Sequence, residues 1–477
     1  MTISIKKIAS SIRNLKIHVE PVIFIMTFCH IASNIVKPQM TEAKMERSYA
    51  HPDNMTHPEI KKFYNKWMVT WDQNYDYVNV PIACVAGILY GAYGDERNRK
   101  VPLLLGMASS LVDNTIKMLM WSEKTDIPLE WSYLSAVVCG LMGDYILIMS
   151  CCNAYLSDIF SNKHTLGYRL IITSVCVSSG TLVGSLCTKL VVDQLNEMAA
   201  MYMSQAGIVL ILCFALLVVE KKQPNEATGT ASILTVFKNG VLSFYDSLKI
   251  FFFQRDGHRR LFLWTCMLAN FLDELIFGEQ KGLIGTYTRL PPFNWTTDQF
   301  AIYRAVRPVY MITGSLTGLI VLRKYLKFRD TSLIILSTVS MAVFVAALGV
   351  ANATWVVFVA LIPGGFHGLL QPLTVTFITC LISTQEIGKV LAINSIIGKI
   401  AGVAETGILQ NIYKATLDWY PGFVWLLMAA ISMISAGLYV FVYFVAKREK
   451  IGPEYDRREK EANRTDLDSR EGVAYLE

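Results

Sequence analysis

The chain has 477 residues, of which 53% are hydrophobic and only 17% are charged, and its formal net charge is +6. This composition excludes a disordered chain and favours a membrane protein, because apolar runs of about 20 residues, long enough to cross a bilayer, recur throughout. The positive charge is not taken as evidence of nucleic-acid binding, because Lys and Arg in a membrane protein report its orientation.

The apolar runs predict an all-α polytopic membrane protein with twelve transmembrane helices. Lys and Arg are more frequent in the first, third and later odd-numbered segments between the runs than in the others, which predicts that both termini are cytoplasmic. The predicted spans cover residues 20–38, 77–94, 101–120, 131–156, 169–190, 201–219, 260–283, 299–322, 331–350, 354–383, 388–412 and 422–446.

The first outer connection, residues 39–76, is long and polar, and it is expected to be a loop. Asn-X-Ser/Thr sequons at Asn54, Asn294 and Asn352 all fall in segments that the charge distribution places outside, so these three asparagines are predicted glycosylation sites.

A charged turn separates the second and third spans. Small residues precede it, and Asp95, Arg99 and Lys100 then follow within six positions. With Asp158 at the end of span four, these charges are candidates for a gate at the inner face. The alternative is a solvated surface pair worth under about 1 kcal/mol, and we favour the gate.

The longest internal connection, residues 220–259, divides the spans six and six. We therefore predict a cytoplasmic segment (1–19), two six-helix bundles (20–219 and 260–446) joined by that linker, and a cytoplasmic tail (447–477). Apolar residues between 233 and 248 recur at helical spacing, as in a helix that either lies on the inner leaflet or packs against the bundle.

The motif Gly91-x-x-Gly94-Asp95-x-x-Asn98-Arg99-Lys100 resembles the signature between helices two and three of the major facilitator superfamily. Gly314, Gly318 and the basic residues Arg323 and Lys324 resemble a degenerate second copy. Other segments are similar to the solute carrier family of the proton-coupled folate transporter and the thymic stromal cotransporter: Val19-Glu20-Pro21-Val22, Pro102-Leu-Leu-Leu105, Ala154-Tyr-Leu-Ser-Asp158, Gln385-Glu386-Ile-Gly388-Lys389-Val, Ile412-Tyr413-Lys-Ala-Thr416 and Tyr420-Pro421-Gly422.

This resemblance implies secondary active transport of an organic anion, often driven by protons. The chain departs from the folate branch at three positions: Thr173-Ser174 replaces a Glu in span five, Ile276-Phe277 a His in span seven, and Leu373-Thr374-Val375 an Arg near Pro372. These departures argue against folate as the cargo and leave the coupling ion open.

Charges inside the spans are candidate substrate or proton sites, because a charge at the bilayer centre costs at least about 2.5–3.5 kcal/mol. Asp144 and Lys399 lie near the middle of spans four and eleven, and each either faces a cavity or makes a fixed structural contact. Asp113 and Lys117 are four residues apart on one helix face and are expected to pair.

Asp273 and Glu274 lie in the middle of span seven, about 100° apart around the helix, so they cannot both face one cavity. One of them is a candidate protonatable coupling site. Arg304 and Arg307 near the outer end of span eight either attract an anion or snorkel to headgroups, with snorkelling favoured. His30 and His367 are minor candidates for titration.

The sequence thus predicts a carrier that moves a small organic anion by alternating access, with protons as a candidate coupling ion. Its expected partners are this anion, protons and membrane lipids, and no nucleic acid, cofactor or metal is expected. The alternative is a receptor or scaffold with a transporter fold. An enzyme is not expected, because no catalytic motif is recognisable. The tail lacks recognisable lysosomal sorting signals, so the plasma membrane is favoured over the lysosome.

Overall fold

The structure is a computed structural model that describes residues 18–53, 55–159, 163–219, 258–382 and 387–451, and seven positions between 235 and 252. Within these residues the chain forms fourteen α-helices. They are α1 (Glu20–Ser48), α2 (His57–Glu96), α3 (Lys100–Trp121), α4 (Trp131–Met142), α5 (Asp144–Ile159), α6 (Lys163–Gln194), α7 (Glu197–Val218), α8 (Arg259–Tyr287), α9 (Thr297–Thr317), α10 (Asp330–Val350), α11 (Thr354–Gly364), α12 (Leu370–Thr379), α13 (Ile387–Thr416) and α14 (Phe423–Glu449).

Each predicted span coincides with one of these helices or with two consecutive ones, except that the end of span eight lies in a π-helix, Gly318–Tyr325. This agreement confirms the all-α polytopic fold. Counted over the described residues, eleven helices or helix pairs are long and apolar enough to cross a bilayer. The helix outside this count is α13, whose middle carries Lys399 and Glu405.

The chain divides into two compact units. Unit 1 comprises Met1–Met40 and Pro81–Gly240, and unit 2 comprises Thr41–Val80 and Val241–Glu477. In unit 1, apolar residues of α1, α3, α5 and α7 form the core. In unit 2, the core includes α8, α10, α12 and α14, and Ser432 Oγ of α14 donates to the Thr338 carbonyl of α10 at 2.9 Å.

Spans four and ten were expected to be continuous helices, and both are interrupted at mid-length. In span four, Gly143 (φ +94°) separates α4 from α5, which begins at Asp144 (φ +57°). In span ten, Pro363 is followed by a 3₁₀ turn, Gly365–Leu369, that separates α11 from α12. Gly and Pro are the usual causes of such breaks, because they disturb the regular helical hydrogen bonds.

The prediction of an outer loop at residues 39–76 is wrong for most of that segment, because α1 continues to Ser48 and α2 begins at His57. Two polar side chains of the segment donate hydrogen bonds to backbone carbonyls of unit 2. Asn65 Nδ2 donates to the Thr286 carbonyl at 2.8 Å, and Gln73 Nε2 donates to the Thr406 carbonyl at 2.8 Å. The Thr286 carbonyl belongs to the last turn of α8, where helix carbonyls lack an internal partner.

Residues 1–17 and 452–477 lie outside the described residues, as does nearly all of the linker with its predicted amphipathic helix. The predicted linker and tail boundaries therefore stay predictions.

The close crossing of α9 and the 3₁₀ turn should be sensitive to added volume. A Cβ at Gly314 would overlap the backbone carbonyl of Gly365, whereas a Cβ at Gly437 on α14 would meet nothing within 4 Å. We expect Gly314→Ala to lower the stability of unit 2 by about 1–3 kcal/mol, since backbone atoms cannot move aside as a flexible side chain can. Gly437→Ala should be neutral or stabilising, because alanine favours a helix. Thermal unfolding of the two purified variants measures this difference, and equal stability would contradict the crossing.

Candidate functional site

The middle of unit 2 contains a buried hydrogen-bond contact between spans seven and ten. Asp273 of α8 is 6% exposed and His367 of the 3₁₀ turn is also 6% exposed. His367 Nε2 lies 2.9 Å from Oδ1 and 3.1 Å from Oδ2 of Asp273. The carboxylate and the imidazole can share a proton, and this contact raises His367 from a minor candidate to a central one.

A second layer of contacts extends from this pair toward α9. The Phe277 ring packs against the His367 ring at 4.8 Å between centroids. The Arg307 guanidinium lies over the same Phe277 ring, 5.3 Å from its centroid. Arg307 is 7% exposed, so the favoured expectation that it snorkels to headgroups is wrong. Arg304 is half-buried, with its guanidinium 5.2 Å from the Phe300 ring.

Glu274 points to a different neighbour from Asp273, as their spacing on the helix requires. Its Oε1 accepts a long hydrogen bond of 3.4 Å from Gln371 Nε2, and a Cβ at Gly398 of α13 would lie 3.9 Å from its carboxyl carbon. Lys399 follows Gly398 and is half-buried. Within the part of the chain that the structure describes, its ammonium has no hydrogen-bond or ion-pair partner.

In unit 1, Asp144 lies at the break in span four. Its Oδ1 accepts from the backbone N–H of Tyr145 at 2.5 Å, and the Tyr145 hydroxyl lies 3.0 Å from Thr27 Oγ1 of α1. The Tyr145 ring stacks on His30 at 4.1 Å with an angle of 6° between the planes. The break thus places an acid, an imidazole and a phenol together in unit 1.

The pairing expected of Asp113 and Lys117 is present, with Lys117 Nζ donating to Asp113 Oδ2 at 2.6 Å. Ser135 Oγ donates to the other carboxylate oxygen at 2.8 Å. Both oxygens of Asp113 are therefore used in a fixed structural contact.

Two of the four gate candidates form an ion pair at the predicted inner end of unit 1. Arg99 Nε donates to Asp158 Oδ2 at 2.6 Å, and both side chains are largely shielded from solvent. Lys100 contacts other groups: its Nζ donates to the carbonyls of Leu216 and Val219 at 2.7 Å each. Lys100 thus satisfies carbonyls at the end of α7.

The side chain of Asp95 and all of Asn54 lie outside the described residues. The two other predicted glycosylation sites, Asn294 and Asn352, are exposed between helices. Glycosylation at the three sites and the gating role of Asp95, Arg99, Lys100 and Asp158 stay predictions.

Sequence reasoning did not find two further acidic sites. Arg169 Nη1 donates to Glu20 Oε1 at 2.6 Å in a buried ion pair of unit 1. In unit 2, the Glu405 carboxylate lies so close to Gly278 that any side chain there would collide with it. Glu20 and Arg169 each begin an apolar run and carry opposite charges, a signal that could have predicted their pairing.

Comparison with known proteins gives the same class of fold. Residues 77–406 match the family described as Major Facilitator Superfamily. The chain is 22% identical to the probable peptidoglycan muropeptide transporter SLC46 of Drosophila melanogaster (84% of this chain, 81% of that protein). It is 24% identical to the mouse lysosomal proton-coupled steroid conjugate and bile acid symporter SLC46A3 (72% and 74%). It is 20% identical to the bovine proton-coupled folate transporter (92% and 93%).

Solved structures support the fold. A POT family transporter in complex with 5-aminolevulinic acid superposes with a TM-score of 0.61 at 12% identity, covering 90% of this chain and 96% of that one. The human organic anion transporter MFSD10 superposes with a TM-score of 0.59 at 16% identity, covering 90% and 98%.

The ion pair of Arg99 and Asp158 can be tested by a double-mutant cycle. We expect Arg99→Gln and Asp158→Asn each to slow uptake, because each leaves the partner charge shielded and unpaired. The double variant should cost less than the sum, with a coupling of about 0.5–3 kcal/mol. Asp193→Asn, which breaks the exposed pair with Lys189, is the matched control. Additive losses, or a fall in surface delivery alone, would contradict a gate.

Proposed function

Because the chain belongs to the major facilitator superfamily, we propose that it is a secondary active transporter that moves a small organic anion by alternating access, driven by protons. It is not an enzyme, since its family and relatives are membrane transporters. The observation that carries the proposed coupling is the buried contact of Asp273 with His367.

This pair has the properties that a proton site needs. Imidazole changes its charge near neutral pH, and a carboxylate at hydrogen-bond distance can stabilise the proton when it binds. An ionisable group inside a membrane span is retained mainly for function, because its burial is costly. The absence of the folate branch's histidine in span seven is therefore no obstacle, since His367 comes from span ten.

The anionic nature of the cargo rests on unmatched positive charge. Lys399 is half-buried and has no partner among the described residues. Such an ammonium attracts an anion that enters the space it faces. The names of the relatives, which include bile acid and folate transporters, support this cargo class. The departures from the folate branch in spans five, seven and ten argue against folate itself as the cargo. Residence in the plasma membrane and cytoplasmic termini stay predictions.

The first test is proton dependence. Purified protein in proteoliposomes is screened with a panel of organic anions at two external pH values, with the interior held at pH 8. We expect uptake of at least one anion to rise as the external pH falls. Asp273→Asn and His367→Gln should each lower this uptake at least about tenfold and flatten its pH profile, because each removes one of the two groups that share the proton.

His57→Gln, which changes an exposed histidine at the start of α2, controls for general effects of a lost imidazole. A flat wild-type profile between pH 5 and 8, or full activity in both neutral replacements, would count against proton coupling. The lack of saturable uptake for every anion would instead favour a receptor or scaffold.

The second test concerns Lys399. We expect Lys399→Ala to raise the KM for the anion by about tenfold, equivalent to about 1.4 kcal/mol, while Lys399→Arg retains much of the affinity. Lys189→Ala, at an exposed ion pair of α6, serves as the control. Concentration-dependent uptake with surface quantification measures both values, and normal uptake by Lys399→Ala would remove this residue from the site.

A further inference from the structure

One face of α14 is apolar along the span and ends in a basic turn. Every exposed residue of this helix before Lys447 is apolar or glycine, and the aromatic ones are Phe441 and Phe444. Because α14 is long and apolar enough to cross a bilayer, this face meets acyl chains. Lys447 and Arg448 follow in the last turn and are exposed. Arg448 lies one turn beyond Phe444 on the same face, at the level where a span leaves the hydrocarbon.

The connection between α9 and α10 reaches the same end of unit 2. Four consecutive residues at the end of the π-helix and after it are exposed: Tyr325, Leu326, Lys327 and Phe328. The next residue, Arg329, is tied to α14, because its guanidinium lies 5.9 Å from the centroid of the Tyr443 ring. Tyr443 is one turn before Lys447. The connection therefore brings a lysine and large apolar side chains to the basic turn of α14.

The acidic side chains described at this end of unit 2 are already used. Asp330 accepts a hydrogen bond of 2.7 Å from Arg323, and Glu449 accepts one of 3.1 Å from the backbone N–H of His258. By contrast, three exposed cations have no hydrogen-bond or ion-pair partner within the described residues, and we call them the basic collar: Lys327, Lys447 and Arg448. Uncompensated positive charge next to an apolar face favours an anionic and amphipathic partner.

Two kinds of partner have the right charge, namely an anionic lipid and the chain's own tail. Residues 452–477 contain eight acidic and five basic residues. However, residues 452–466, which directly follow the collar, contain Tyr455 as their one aromatic residue and no Leu, Ile, Val, Met or Phe. The tail thus matches the charge but offers little to cover Phe444 and Phe328. A phospholipid supplies both a phosphate and acyl chains.

We propose that the basic collar binds the headgroup of an anionic phospholipid, with the acyl chains of that lipid on the exposed aromatic face of α14. Lys447 and Arg448 donate charge-assisted hydrogen bonds to the phosphate. A zwitterionic headgroup is bound more weakly, because its own ammonium cancels the phosphate charge. This site is separate from the proposed cargo site and does not depend on whether the chain transports an anion.

The first test compares two lipids with the same acyl chains, palmitoyl-oleoyl phosphatidylserine and palmitoyl-oleoyl phosphatidylcholine. Full-length protein in detergent is mixed with one lipid at a fixed concentration, and native mass spectrometry counts the lipids retained. We expect the wild type to retain at least about threefold more phosphatidylserine than phosphatidylcholine. The double variant Lys447→Gln/Arg448→Gln should retain at least about threefold less phosphatidylserine than the wild type and the same amount of phosphatidylcholine.

The matched control removes two positive charges from another part of unit 2. Lys62 donates to the Asp418 carbonyl at 2.9 Å, and Lys66 lies 4.0 Å from the Asp418 carboxylate. Lys62→Gln/Lys66→Gln should therefore retain both lipids as the wild type does. The exchanged pair Lys447→Arg/Arg448→Lys keeps the charges of the collar and should bind phosphatidylserine within about twofold of the wild type.

A second measurement separates the lipid from the tail. Hydrogen exchange is followed in nanodiscs of phosphatidylcholine with and without phosphatidylserine. We expect the backbone amides of residues 325–329 and 447–450 to exchange more slowly when phosphatidylserine is present. If the tail covers the collar instead, exchange at these residues is the same in both nanodiscs.

The proposal is overturned by equal retention of the two lipids by the wild type, by unchanged retention of phosphatidylserine in Lys447→Gln/Arg448→Gln, or by equal exchange in the two nanodiscs. An equal loss of phosphatidylserine in Lys62→Gln/Lys66→Gln also overturns it, because the effect then follows net charge and not the collar. Phe441→Ser/Phe444→Ser should lower the retention of both lipids, and unchanged retention would contradict the place given to the acyl chains.

Discussion

The buried contact between Asp273 and His367 constrains much of unit 2. A charge in the middle of an apolar span costs at least about 2.5–3.5 kcal/mol, so the pair must meet at hydrogen-bond distance. His367 reaches Asp273 from a 3₁₀ turn, not from a regular helix. The 3₁₀ turn also lies against α9. Gly314 of α9 and Gly365 of the turn bring the two backbones so close that neither position has room for a side chain. The site chemistry thus depends on a backbone crossing that only glycine allows.

A related arrangement exists in unit 1. The fourth span of this unit is broken at Gly143, and Asp144 begins the next helix with a positive φ. A break exposes backbone groups that must find partners or a polar cavity inside a membrane. It also brings short side chains, such as Asp144 and Tyr145, to a position that a continuous helix would not offer them. Each unit therefore combines a broken span with an ionisable group at the break.

Hydropathy was sufficient to place the twelve spans, because burial in lipid selects long apolar runs whatever their detailed packing. It could not place the breaks, since a break depends on a few residues such as Pro363-Gly364-Gly365 within a run that remains apolar. It also failed for residues 39–76, where polar side chains such as Asn65 and Gln73 suggested a loop. In the structure they bond to carbonyls of unit 2, and such partners are distant in sequence.

The same limit applies to the charges, and it indicates how a carrier of anions can be built. Residue type and depth in the sequence identify candidate basic residues, but only the partner in the structure separates their roles. Arg99, Lys100 and Arg169 are bound by carboxylates or carbonyls of this chain. Arg307 and Lys399, within the described residues, are left without such partners. An internal carboxylate would stabilise them but would also compete with the cargo for the same donors. A binding site for an anion therefore has to keep its cations uncompensated until the anion arrives, and the folded state is less stable for it.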